Sequence, residues 1–294
     1  MVSVVRFIVV LIPLIFSLAA LVLGALACAG STKNASPINH IYEFKLDMTE
    51  VDITKLITKN TILGAFTSLS GVTISGSDIG LSDMYTIGQW GYCKGDYDDG
   101  EYKPSKCSDP QAMYVFDPVK LLVEDLTSGT LDITSDDLSL PESVENNRKQ
   151  LKIASKAIFI TTIIGIVASA LTFLFTIASF CSHIISFIST IFAIIAFLGY
   201  VIAAAASTAA FNRVKTKFND AYSEYGMKGT LDNNRFYGLI WAATGLALIV
   251  VVLEVLAICC GRTKKKSSKE AKSQTPPSPN EKEPFMGYQE RQVV

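Results

Sequence analysis

Long apolar runs alternate with polar segments along this chain. Residues 7–32 and 157–212 contain no acidic or basic side chain, and in residues 236–261 only Glu254 interrupts the apolar pattern. The hydrocarbon core of a bilayer is about 30 Å thick, and about 20 helical residues cross it. The middle run has 56 residues, which is too long for one crossing, and its most polar point is Ser182-His183. The pattern therefore predicts four membrane-spanning helices.

We place these predicted spans near residues 4–29, 157–181, 184–211 and 237–260. The first run has a second interpretation, because Ala25-Leu26-Ala27 has the small residues of a signal-peptide cleavage site. The run is longer than the apolar part of a signal peptide, and only Arg6 precedes it. We therefore expect residues 1–29 to be an uncleaved span with a short cytoplasmic N-terminus. Either interpretation delivers residues 30–156 to the outside.

The large polar segment, residues 30–156, predicts an extracellular β-rich domain. Tyr42, Phe44, Leu46 and Met48 alternate with charged residues, as in a half-buried strand. Further strands are expected at residues 72–74, 85–92, 114–116 and 131–133, with Gly, Ser, Asp and Pro between them. From residue 141 to 156 the pattern becomes helical and leads into the second span. We expect a small antiparallel sheet next to the membrane.

Residues 212–236 are expected to hold an extracellular extension of the third helix and a loop. Aromatic and branched residues at positions 211, 214, 218, 222 and 225 follow helical spacing and would pack against the sheet. Within the third span, small residues such as Gly199 and Ala203 favour close helix contact. That contact is either packing inside the bundle or self-association into a homo-oligomer.

Composition excludes several functional classes. The net charge is −1, whereas a nucleic-acid-binding protein should be basic. The chain has only two histidines, His40 and His183, and its six cysteines form no CxxC pair, so no metal site, cofactor or catalytic centre is expected. Glu254 is the only charge inside a span, and we expect it to reach the interface or to pair with lysines of the tail.

Two cysteines of the polar segment, Cys93 and Cys107, indicate which side it faces. A disulfide between them would close a loop of 15 residues and contribute on the order of 3 kcal/mol. Disulfides persist in oxidising compartments. Asn34-Ala35-Ser36 on the same side is a candidate glycosylation sequon. These features favour an extracellular location for residues 30–156.

The C-terminal segment, residues 261–294, is expected to be a disordered, basic cytoplasmic tail. Its lysines and arginine would attract anionic inner-leaflet lipids by about 1 kcal/mol each, and the first four are Arg262, Lys264, Lys265 and Lys266. A basic end after the last of four spans predicts that both termini are cytoplasmic. Counting all the charges does not favour this orientation, and a narrow margin in its favour remains only when the long segment 30–156 is left out. Cys259 and Cys260 are either palmitoylation sites or plain interfacial cysteines.

One motif of the polar segment is specific. It has the form G-x-W-x-x-C followed by a second cysteine, and it consists of Gly88, Trp90, Cys93 and Cys107. In the first outer loop of a four-span protein, this arrangement resembles the claudin superfamily. The Trp ring would seat the sheet at the membrane interface with its N–H solvated. The resemblance implies a mainly α fold, a claudin-like four-helix transmembrane bundle with a small extracellular antiparallel β-sheet between spans 1 and 2.

The closer resemblance is to the fungal Sur-seven/PalI membrane proteins. It covers roughly residues 1–262 and rests on the order of the spans, the nearly fused second and third spans, and short elements of sequence. These elements are Leu11-Ile12-Pro13-Leu14, Leu18-Ala19-Ala20, Tyr42-Glu43-Phe44, the motif itself and Phe116-Asp117-Pro118. The chain departs from animal claudins at Gln89, where leucine is usual, and in its longer first loop.

This resemblance implies a non-enzymatic plasma-membrane protein that organises a static membrane domain, the cortical patch of an eisosome. Roles in membrane furrows, endocytosis organisation and cell-wall integrity are expected, with cortical scaffold proteins and the lipid bilayer as partners. The alternative is a PalI-like membrane accessory of ambient-pH signalling. That branch often has a longer tail than the 33 residues, 262–294, found here, so we favour the first role.

Overall fold

The structure is a computed structural model that describes residues 4–51, 81–98, 101–117, 121, 142–179 and 183–270. It divides the chain into two compact units, Met1–Val255 and Leu256–Val294. The first contains every strand among the described residues. The second is described only as far as residue 270, where it is helical.

Four long helices make up most of the described chain. They are α1 (Val4–Cys28), α2 (Glu142–Ala178), α3 (His183–Tyr222) and α4 (Phe236–Glu270). Each contains a segment long and apolar enough to cross a membrane, with mean hydropathy from 2.4 to 2.6; the segments are Val10–Cys28, Gln150–Ala178, Ile184–Tyr222 and Phe236–Ile258. The prediction of a mainly α protein with four spans is confirmed.

Three helices are longer than the spans predicted from the sequence. Helix α2 begins at Glu142, where the helical pattern of the polar segment starts, and α3 continues to Tyr222. Helix α4 continues to Glu270, so the first residues of the segment expected to be disordered are helical.

The bundle places small and hydroxyl side chains inside and branched apolar side chains outside. Ala20, Ala204, Ser207 and Ala243 are buried, whereas large residues such as Phe187 are exposed. In lipid, burying an apolar side chain gives no hydrophobic stabilisation, whereas small residues allow helices to approach closely. The small residues of α3 thus pack inside the bundle: a Cβ on Gly199 would lie 2.8 Å from the backbone nitrogen of Gly165 in α2.

A five-stranded antiparallel sheet lies at one end of the bundle. Its order is β4-β3-β2-β1-β5, and its strands are β1 (Phe44–Asp47), β2 (Met84–Ile87), β3 (Tyr92–Asp98), β4 (Glu101–Cys107) and β5 (Lys228–Leu231). Four strands come from the polar segment between α1 and α2, which confirms the predicted sheet. The fifth comes from the segment between α3 and α4, where only a helix extension and a loop were expected.

Other strand predictions need correction. Residues 85–92 form parts of two strands, because the chain turns at residues 88–91. Residues 114–116 are irregular, and strand β4 was not predicted. The strands expected at 72–74 and 131–133 lie outside the described residues.

A hydrophobic core joins the sheet to the helices. Phe44 of β1 lies opposite Ile87 of β2 and Leu231 of β5. Its ring stacks on Phe211 of α3 with centroids 6.2 Å apart and meets Phe218 edge-on at 6.4 Å. The extension of α3 therefore packs against the sheet, as its aromatic spacing predicted.

Candidate functional site

The G-x-W-x-x-C motif begins with a tight turn between β2 and β3. The Gly88 N–H donates to the Gly91 carbonyl at 2.8 Å. A Cβ on Gly88 would collide with the Gly30 carbonyl oxygen just after α1, and a Cβ on Gly91 would collide with the Ser108 hydroxyl. Both glycines allow a close approach that a larger residue would prevent.

The predicted disulfide between Cys93 and Cys107 is confirmed. The two residues lie directly opposite each other on β3 and β4, with Cα atoms 3.9 Å apart. Cys93 is completely buried. The bond therefore ties the edge strand β4 to the interior of the sheet.

Trp90 connects the sheet to two helices. Its indole N–H donates to the Cys28 sulfur at the end of α1 at 3.3 Å. Its ring meets Phe159 of α2 edge-on, with centroids 4.8 Å apart. The expectation of a solvated N–H was wrong, because the thiol of Cys28 accepts that hydrogen bond.

Gln89, the departure from the claudin pattern, provides a second connection. Its side-chain amide is buried and donates to the Thr162 hydroxyl of α2 at 3.2 Å. It also hydrogen bonds to the Glu43 carboxyl. A leucine could make neither bond, so the departure was the sequence signal for this contact.

Glu43 is a buried acid that the sequence analysis named only within the Tyr42-Glu43-Phe44 element, without predicting its burial or a role for it. Its side chain is only 3% exposed. Burial raises the pKa of this carboxyl to about 8, and the hydrogen bond from Gln89 opposes that rise. The residue precedes β1, and its backbone N–H donates to the Ile87 carbonyl at 2.7 Å. Sheet pairing therefore fixes its position.

Glu254 links three helices inside the bundle. Its Oε1 accepts hydrogen bonds from the Thr176 hydroxyl of α2 at 2.9 Å and from the Ser189 hydroxyl of α3 at 2.7 Å. The side chain is 5% exposed. The expectation that it would reach the interface was therefore wrong. Pairing with tail lysines involves side chains outside the described part of the chain and is not tested.

Asn34 lies beside the edge strand of the sheet. Its side-chain amide is exposed and donates to the carbonyl oxygens of Pro104 at 2.8 Å and Ser105 at 3.4 Å. A glycan on this nitrogen would have to displace these bonds. Glycosylation of Asn34 stays a prediction.

The remaining predicted sites lie on the last part of α4. They are the acylation candidates Cys259 and Cys260 and the lipid contacts Arg262, Lys264, Lys265 and Lys266, whose side chains are outside the described part of the chain. They stay predictions. Within the described residues, no group of three His, Cys, Asp or Glu side chains is placed to hold a metal ion.

Four apolar helices beneath a disulfide-closed sheet define a multi-pass membrane protein. The chain belongs to the SUR7/PalI family, whose model matches residues 9–253. It is 30% identical over 244 residues to Protein PUN1 of Saccharomyces cerevisiae, which covers 81% of this chain and 87% of the relative. It is also 27% identical over 175 residues to the SUR7 family protein pun1 of Schizosaccharomyces pombe, covering 58% and 59%.

Proposed function

We propose that this protein is an architectural component of the plasma membrane that organises a static lateral domain, the cortical patch of an eisosome. Its roles there are in membrane furrows, endocytosis organisation and cell-wall integrity. The observation that carries this proposal is the fixed joint between sheet and bundle. The Trp90, Gln89 and Phe44 contacts attach one disulfide-closed layer to α1, α2 and α3.

A fixed joint suits a structural role because a force on the outer layer would be transmitted to the helices through these contacts. No element of this joint needs to move for chemistry, and the proposed role is not enzymatic. The sheet would contact the cell wall or neighbouring copies, and the bundle would contact lipid and other copies of the chain.

The proposed orientation places the sheet outside the cell and both termini in the cytoplasm. The disulfide supports this orientation, because such bonds persist in oxidising compartments. The basic residues that follow Cys260 are expected on the cytoplasmic side of the membrane. There they would contact anionic inner-leaflet lipids and cortical scaffold proteins.

The test is live imaging of a fluorescent fusion in the fungal host. Stable patches that recover slowly after bleaching support the proposal, and a diffuse signal that recovers rapidly contradicts it. The matched variant is Trp90→Ala, which breaks the joint, with Trp241→Ala as a control at an exposed position. The signalling alternative would instead be favoured if the fusion protein forms normal patches and a separate deletion strain fails to grow at alkaline pH.

Orientation is tested separately by protease protection of tagged termini. Both tags should be protected in sealed, right-side-out cells. A tag that is digested from outside would contradict the proposed topology without bearing on the role of the sheet.

A further inference from the structure

A small cavity of about 10 Å³ lies where the sheet meets α2 and α3. Three of the residues that line it are polar: Glu43, Gln89 and Ser155. The apolar remainder includes Ile158 of α2 and Phe211 of α3. The cavity therefore encloses a polar cluster within an apolar joint.

One oxygen of each polar residue lacks a partner there. Within the described part of the chain, Oε1 of Glu43, Oε1 of Gln89 and Oγ of Ser155 are buried without a hydrogen bond. The amide oxygen of Gln89 can only accept hydrogen bonds, and the same is true of the oxygens of an ionised carboxylate. Leaving such atoms unpaired costs about 1–3 kcal/mol each. When Glu43 is ionised, the cluster therefore has too few hydrogen-bond donors for its acceptors.

Among the side chains that the structure describes, no cation pairs with Glu43. The ion pairs among the described residues do not include it. The titratable groups that interact with it are the thiol of Cys28 on α1 and the hydroxyl of Tyr237 on α4, and Tyr114 also lines the cavity. The basic residues on the adjoining elements are exposed or half-buried and do not pair with it; they are Lys45, Lys94, Lys152, Lys156, Arg213, Lys215 and Lys228.

We propose that Glu43 is held as a neutral carboxylic acid in this cavity, and that loss of its proton on the alkaline side of neutrality loosens the sheet from α2. A proton on Oε1 converts an unpaired acceptor into a donor, which supplies the kind of group that the cluster lacks. Ionisation would instead leave a buried charge with no counter-ion, which a protein interior tolerates poorly. The device acts on the joint that carries the proposed architectural role, but its test measures protein stability and not patch formation, so the two proposals can fail separately.

The elevated pKa of Glu43, about 8 against an ordinary 4.5, gives the direction of the effect. Between these two values the folded protein keeps the proton while the unfolded chain has lost it. Folding stability therefore falls as pH rises through this window and becomes level above it. Loosening itself follows ionisation of the folded protein, so it is expected near and above pH 8.

The test is thermal unfolding of the full chain in lipid nanodiscs at several pH values between 6 and 9. Wild type should lose about 4 °C in Tm for each pH unit below 8. Glu43→Gln, which keeps the shape and adds a permanent donor, should remove this slope. Glu224→Gln, at an exposed acid, should keep the wild-type slope. An unchanged slope in Glu43→Gln would overturn the proposal.

Infrared spectroscopy provides a second test if Glu43→Gln does not fold. It separates a protonated carboxyl from a carboxylate, and the Glu254→Gln background removes the second buried glutamate among the described side chains. A protonated carboxyl should be present at pH 7 in this background and should disappear above pH 8. A spectrum with carboxylates alone at pH 7 would overturn the proposal.

Discussion

The ring of Tyr200 on α3 fills the space that Gly165 leaves open on α2. A Cβ on Gly165 would lie 2.8 Å from Cδ1 of this ring. The Tyr200 hydroxyl donates to the Ala20 carbonyl of α1 at 3.3 Å and accepts from the Ser169 hydroxyl at 3.4 Å. Tyr200 thus links α3 to α1 and α2, and the absence of a side chain at Gly165 provides the space for its ring.

Gly165→Ala should therefore destabilise the bundle by about 1–3 kcal/mol, since the added methyl group has no room. The measurement is thermal unfolding in detergent micelles. Gly245→Ala is the matched control, because a Cβ there meets nothing within 4 Å, and it should be neutral or slightly stabilising. Equal effects of the two substitutions would contradict the packing described for Tyr200.

Removal of the disulfide should loosen the edge of the sheet. The double variant Cys93→Ala, Cys107→Ala is expected to lose on the order of 3 kcal/mol of folding stability. Reductant should bring wild type to the same level and leave the double variant unchanged. A reductant effect that persists in the double variant would show that another bond is responsible.

Substitutions at Trp90 separate its hydrogen bond from its ring contact. Trp90→Phe keeps a ring beside Phe159 but loses the N–H that donates to Cys28, and should cost about 1 kcal/mol. Trp90→Ala loses both and should cost about 3 kcal/mol. Chemical unfolding followed by tyrosine fluorescence measures the difference. Equal costs would mean that the ring contact contributes nothing.

Glu254 should stabilise the bundle through its hydrogen bonds. Glu254→Gln keeps an oxygen acceptor for the hydroxyls of Thr176 and Ser189 and should have little effect. Glu254→Leu leaves those hydroxyls without that acceptor and should cost about 1–3 kcal/mol. Thermal unfolding of both variants is the measurement. A Leu variant as stable as wild type would show that the two hydroxyls find other acceptors at no cost.

Features with a strong periodic signal were predictable from the sequence. The apolar runs located the four spans, because the thickness of a bilayer demands about 20 such residues. The alternation around Phe44 located β1, since every second side chain enters the core. The cysteines of the motif located the disulfide.

Features that depend on tertiary contact were not predictable. Strand β5 has four residues without alternation, and its Gly229 allows the Phe44 ring to approach closely. Residues 114–116 have strand-like composition but pair with none of the strands that the structure describes, and Tyr114 contacts the ring of Tyr92. Glu43 is buried because of the position of the sheet against the helices. The local sequence pattern does not predict that position.

The position of β1 between β2 and β5 has a consequence for the whole chain. Its register with β5 runs from Phe44 opposite Leu231 to Asp47 opposite Lys228, so backbone bonds cross from the first half of the protein to the second. If the polypeptide were produced as two separate fragments, divided between α2 and α3, each would carry two spans and one side of this ladder. The two fragments are expected to reassemble in the membrane and to copurify.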